Sequence, residues 1–130
     1  MILIDVNIFM DVLEQRTGWE ASLKLLMNVR KGKQQACICA LTVSVLYFLR
    51  SKFYTEEQSR NDVREITRGF EIVALDKNIL DKAFTIDFPD FEDAIQYFSA
   101  LEHKCTAIVT RNGKDFRSSA IRVVTPEEMI

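Results

Sequence analysis

A chain of 130 residues, 48% hydrophobic and 28% charged, can bury its own core, which excludes a disordered segment and predicts a single domain over residues 1–130. The net charge of −2 excludes a global basic field, so any nucleic-acid partner has to be met by locally concentrated cations. No apolar run reaches membrane-spanning length, and the start, MILIDVN, lacks the basic and long apolar regions of a signal peptide, which predicts a cytoplasmic protein with no membrane partner.

The run Ile2-Leu3-Ile4 is short, β-branched and apolar, and predicts a buried strand ending at Asp5. A brief helix is predicted over 7–14. Thr17 and Glu20 have the spacing of a capping box, opening a helix that turns Leu23, Leu26 and Met27 inward and stops near Gly32. Residues 36–39 predict a second strand, and 42–50 an apolar helix carrying Val43, Leu46, Tyr47 and Leu49. Thr55 and Gln58 open a largely polar helix ending around Gly69. A third strand follows over 70–75, then a helix capped by Asp76 with Ile79, Leu80, Ala83 and Phe84 inward. After Pro89, Asp90 caps a helix whose apolar flank is Phe91, Ala94, Ile95, Phe98 and Leu101, with Asp93 and Tyr97 off that flank. Strands over 106–109 and 121–124 and a last turn from Thr125 complete the chain. Short apolar strands alternating with amphipathic helices predict an α/β fold, a three-layer α/β/α sandwich around a mostly parallel sheet.

Cys37 and Cys39 share a strand face, but with His103 and Cys105 they match no structural zinc spacing and read as buried free thiols. His103 lies at the far end of its helix from Asp93, a poor position for a general base.

The acidic residues have a different pattern. In open parallel sheets the functional crevice lies beyond the carboxyl ends of the strands, where the strand order reverses. Asp5 follows the first strand and Asp115 the fourth, while Asp90 and Asp93 open the helix leading into the fourth. Asp90 is also a good helix cap, and acids suit a helix N-terminus in any protein. Two carboxylates about 4 Å apart repel by about 4 kcal/mol at an effective dielectric of 20. A cluster of Asp5, Asp90, Asp93 and Asp115 must therefore protonate or hold a cation. Oxygen donors without His or Cys select a hard ion, Mg²⁺ or Mn²⁺, which activates water and offsets charge on a phosphate. Arg111, Lys114 and Arg117, in the loop carrying Asp115, are either contacts for a substrate's phosphates or ordinary loop charges.

The segments ILIDVNIFMD, ALTVSVLYFL, DFEDAIQYFSAL with AIVTRNGKDF, and VVTPEEMI together resemble the PIN-domain family, metal-dependent nucleases that include the VapC-type toxins of toxin–antitoxin pairs. The late pair, an acid-led helix followed by a T-R-N-x-x-D-F loop, is the most specific part. The resemblance implies a five-stranded, mostly parallel sheet, a homodimer, a cognate antitoxin protein, and hydrolysis of RNA phosphodiesters with Mg²⁺ or Mn²⁺. It implies catalytic and metal-binding roles for Asp5, Asp93 and Asp115, with Asp90 accessory and Asn112 assisting Asp115. Asn7 and Thr110 match positions that orient those carboxylates. One departure stands out: three residues after Thr42, where the family normally places a Glu, this chain has Val45. Asp11 and Glu14 are the candidates to compensate, and both fit equally well as exposed residues of the first helix. The alternative to a nuclease is thus a degenerate, non-catalytic PIN-like domain binding RNA or protein. A dehalogenase-type phosphatase is disfavoured, since it wants two acids where Asp5 and Asn7 stand.

Overall fold

The computed structural model describes residues 1–130, built around one five-stranded sheet. The strands are β1 (Ile2–Ile4), β2 (Ala36–Cys39), β3 (Glu71–Val73), β4 (Ala107–Val109) and β5 (Arg122–Val124), in the spatial order β3-β2-β1-β4-β5. Every neighbouring pair is parallel, so the sheet is wholly rather than mostly parallel. Parallel strands need crossovers. Helices α1 (Val6–Glu14) and α2 (Trp19–Arg30) join β1 to β2, α3 (Ala40–Ser51) and α4 (Glu56–Ile66) join β2 to β3, and α5 (Lys77–Thr85) and α6 (Phe91–Glu102) join β3 to β4. The last crossover uses only a 3-10 turn, Gly113–Phe116, and a second such turn, Pro126–Met129, ends the chain.

Alternation along the strands divides the core into two. Ile2, Ile4, Ala36, Ile38, Ala107 and Val109 pack with Ile8, Phe9, Leu25, Val29 and Leu46 from the first helices. Leu3, Cys37, Cys39 and Ile108 pack on the other side with Ile79, Ala83, Ala94, Ile95 and Ala100. The connection from β3 to β4 runs across the sheet in the reverse direction, and crossovers of constant hand then place α5 and α6 on the opposite face. The three layers follow from that reversal. All three cysteines are buried free thiols, Cys37 Sγ lying 3.4 Å from Cys105 Sγ.

Some local signals act as the sequence suggests. Thr55 Oγ1 accepts from the Gln58 amide at 3.1 Å, and Asp76 Oδ1 from the Ile79 amide at 2.9 Å. Thr17 and Glu20 do not form a capping box. The residue before α2 is Gly18, at φ +87°, and no side chain caps the helix. Arg111 accounts for the difference: its Nη2 donates to the Gly18 carbonyl at 2.8 Å, and a Cβ on Gly18 would fall 2.7 Å from that nitrogen.

The same guanidinium donates through Nε to Asp11 Oδ2 at 2.9 Å and through Nη1 to Glu127 at 2.6 and 2.8 Å. Ser22 Oγ donates to the same Asp11 oxygen at 2.8 Å. Asp11 is therefore buried, not on an exposed face, and Arg111 ties α1, the start of α2 and the final turn to the segment after β4. To reach Asp11 with Ser22, α2 turns Ser22, Leu25, Leu26 and Val29 inward and leaves Met27 outside, 42% exposed.

Helix α6 is also rotated from its sequence expectation. Its buried residues are Ala94, Ile95, Gln96, Tyr97, Ser99 and Ala100, while Phe91 and Leu101 are exposed. Small residues let the helix lie close to the sheet, and Tyr97 is buried because its hydroxyl accepts from the Ala120 amide at 3.2 Å. Phe84 is 72% exposed and stacks on Phe91, ring centroids 4.9 Å apart, outside the core.

Arg111→Ala leaves the Asp11 carboxylate buried without its cation and is expected to lower unfolding free energy by about 3–5 kcal/mol. Glu127→Ala, at the exposed end of the network, should cost about 1 kcal/mol or less. Urea denaturation of both variants checks the contrast.

Candidate active site

β1 and β4 are neighbours whose onward connections leave in opposite directions, β1 towards β2 and β4 towards β5. The carboxyl ends of such a pair form the natural crevice of an open parallel sheet. A cleft of about 590 Å³ opens there. The loop ends and α6 contribute Asp5, Asn7, Asp90, Glu92, Asp93, Gln96, Asn112 and Asp115 to its walls, and α3 contributes Ser44, Val45, Phe48 and Leu49.

Asp5 is the first residue past β1 and is only 2% exposed. Its Oδ1 accepts from Gln96 Nε2 at 2.9 Å and its Oδ2 from Thr110 Oγ1 at 2.7 Å. Burial pushes the Asp5 carboxyl above its usual range, while the Gln96 and Thr110 bonds, with smaller help from the Val6 backbone and Asn7, hold it down. Thr110 is fixed in turn, its Oγ1 accepting from the Asn112 amide at 3.0 Å, and the Asp115 amide donates to the Asn112 carbonyl at 2.9 Å. A continuous chain of bonds thus runs from the end of β1 to the turn bearing Asp115.

Helix α6 brings the remaining acids. It starts at the cleft and runs back to the opposite edge of the sheet, where the Thr106 amide donates to the Met1 carbonyl at 2.9 Å. Asp90 is its cap, Oδ1 accepting from the amides of Glu92 at 2.7 Å and Asp93 at 3.3 Å. Burial, followed by repulsion from Asp5, Asp90, Asp115 and Glu92, pushes the Asp93 carboxyl up to about 7. Burial also raises Glu92, with Asp90 and Asp5 adding to it. No Lys or Arg pairs with Asp5, Asp90, Asp93 or Asp115.

An all-oxygen donor set whose charges raise one another's pKa fits a hard divalent cation. No three of these acids lie close enough together to hold an ion between them, so an ion here would be bound by few protein oxygens and would have to keep much of its water, as Mg²⁺ does. The α3 wall has no carboxylate, Val45 standing in it.

Of the three loop cations, Arg111 points away from the cleft into the Asp11 and Glu127 network, while Lys114 and Arg117 are exposed around the Asp115 turn. The sequence reading missed Gln96. A polar side chain one helical turn beyond Asp93, in a stretch otherwise made of apolar and small residues, was the available signal.

Known proteins resemble this chain in sequence and fold. Ribonuclease VapC1 of Aquifex aeolicus is 26% identical over 133 residues, covering 98% of this chain and 91% of that protein. The fold matches a toxin–antitoxin complex from Klebsiella pneumoniae with a TM-score of 0.72 at 24% identity, over 97% of this chain and 98% of that one. It also matches VapBC2 from Rickettsia felis, solved bound to a DNA fragment from their promoter, with a TM-score of 0.70 at 17% identity, over 95% and 97% of the two chains. The profile of the PIN domain family matches residues 1–114, and with sheet order, cleft and profile in agreement, the chain belongs to the PIN-domain family.

Proposed function

We propose that this chain is a divalent-cation-dependent endoribonuclease of the PIN type, the toxin of a toxin–antitoxin pair. The observation that carries the reading is the meeting of Asp5, Asp93 and Asp115, from three separate segments, in one cleft at the strand switch point. The resemblance to a ribonuclease and to chains solved in toxin–antitoxin complexes supports it.

In this reading Asp5, Asp93 and Asp115 hold Mg²⁺ or Mn²⁺, and Asp90 caps α6 while adding negative charge beside them. Thr110 and Asn7 orient Asp5, and Asn112 sets the Asp115 turn. A bound cation supplies activation of the attacking water and offsets charge on the scissile phosphate. Lys114 and Arg117 contact flanking phosphates of the RNA, with Arg111 fixing the loop that carries them. An antitoxin partner, a homodimer and a cytoplasmic setting belong to the same proposal. One observation favours a second reading, a non-catalytic PIN-like domain that binds RNA or protein: the α3 wall offers Val45 instead of a carboxylate, and no closed cage forms.

The two readings diverge in a cleavage assay. Purified protein with Mn²⁺ or Mg²⁺ is expected to cut RNA internally, and chelation to stop it. Asp93→Asn should lower the rate by about 10²–10³-fold, equivalent to several kcal/mol of lost charge stabilisation. RNA left intact at high protein and metal concentrations selects the non-catalytic reading.

The raised Asp93 pKa also has a sign for stability. Folding favours its neutral form, so this contribution is fully present below pH 3.8 and is lost as pH rises through about 7. Without metal, Asp93→Asn is therefore expected to gain thermal stability relative to the parent chain across that interval, by about 2–4 °C at the alkaline end. Saturating Mn²⁺ should raise the melting temperature of the parent chain and leave that of the variant nearly unchanged.

A further inference from the structure

Gln96 is the polar group of the cleft that the acids do not explain. It lies one helical turn beyond Asp93 on α6, is 4% exposed, and lines the cleft beside Asp5, Asp93 and Asp115. Its amide has a defined orientation. Asp5 Oδ1 is an acceptor, so Gln96 has to present its NH₂ group there, and Nε2 does so at 2.9 Å. The carbonyl oxygen is thereby directed elsewhere, and Oε1 has no hydrogen-bond partner in the protein. Buried acceptors are rarely left so. The only other buried side-chain atom in this position, Ser59 Oγ, is on α4, outside the cleft.

We propose that Gln96 serves the cation site with both ends of its amide, Nε2 fixing the Asp5 carboxylate and Oε1 acting as a neutral oxygen that receives the divalent ion or one of its waters. This rests on the metal-dependent reading given above and adds a residue to it. The chemistry suits the place. The α3 wall contributes Ser44, Val45, Phe48 and Leu49, so its one side-chain oxygen is the Ser44 hydroxyl and it offers no carboxylate. An amide oxygen adds a donor for a hard cation without adding negative charge to a cluster whose members already repel one another. A Glu in its place would add a carboxylate against Asp5 and lose the hydrogen bond that holds it.

The test is Mn²⁺ titration, without RNA, of the full chain and of Gln96→Met, which keeps the side chain's length and removes both polar ends. Calorimetry reads the affinity, and the metal-free melting temperature is measured alongside. The expected result is Mn²⁺ affinity about tenfold weaker in the variant. A merely structural Gln96 would lower the metal-free melting temperature and leave the affinity within about twofold, overturning the inference while the cation-dependent reading stands. Failure of the parent chain to bind Mn²⁺ would overturn both. A crystal of the parent chain grown with Mn²⁺ does not depend on the variant folding. Oε1 within about 3.2 Å of the ion or one of its waters is the expected finding, and Oε1 facing only protein atoms overturns the inference.

Discussion

Burying the Asp5 carboxylate at the end of the central strand is the constraint around which the molecule is arranged. A charged group there is costly to desolvate and is tolerated only when its oxygens are satisfied. Its two strongest donors, Gln96 and Thr110, come from 91 and 105 residues away along the chain. Val6 and Asn7 help from nearby, but the carboxylate is fully satisfied only when α6 and the end of β4 are both in place. The site and the tertiary structure are thus one cooperative unit, and the position of α6 follows from it. Gln96 can reach Asp5 only if the helix turns its small residues, Ala94, Ser99 and Ala100, against the sheet.

Two neighbouring residues after β4 show how the fold separates charges by purpose. Thr110 donates to Asp5 in the cleft, while Arg111 turns towards Asp11 and Glu127. Extended backbone sends successive side chains to opposite sides, so adjacent positions serve carboxylates in different environments. Asp11 receives a full cation and becomes a structural tie. Asp5 and Asp93 receive only neutral donors or neighbouring acids, which leaves negative potential concentrated in the cleft. Had Arg111 faced the other way, its guanidinium would have offset the charge of the cleft acids.

The architecture was legible in the sequence because it depends on local patterns: two to four apolar residues per strand, amphipathic helices between, and Thr55, Asp76 and Asp90 at their caps. The sheet's edge was legible too, since an acid directly after an apolar strand can only emerge at its carboxyl end. What the sequence hid were orientations set by long-range polar bonds. Thr17 and Glu20 have capping-box spacing, but Gly18 is needed under Arg111, and that contact is invisible without the fold. Met27 and Phe84 sit at helical spacing from core residues, yet Ser22 and the Phe91 stack direct those faces elsewhere. Tyr97 and Gln96 were hidden for the same reason, polar tips on a buried face whose partners, Ala120 and Asp5, lie far along the chain.

Under the nuclease reading, the electrostatics of the cleft bear on the order in which cation and RNA would bind. The chain as a whole carries a charge of only −2, so no broad field draws RNA in, and the cleft itself presents carboxylates to an incoming phosphate. Under the nuclease reading, a phosphodiester can settle there only after the local charge has been offset. A proton on Asp93 offsets part of it, but occupies an oxygen needed for the cation, so proton and cation are competing occupants. The cation offsets more and leaves a positive centre for the phosphate. Cation and RNA must then strengthen each other's binding by the same factor, because the repulsion each relieves for the other is a single free energy. A cation bound under that reading to few protein oxygens would keep positions open, and the phosphate would supply ligands on the side where the α3 wall, with Val45 in it, has no carboxylate.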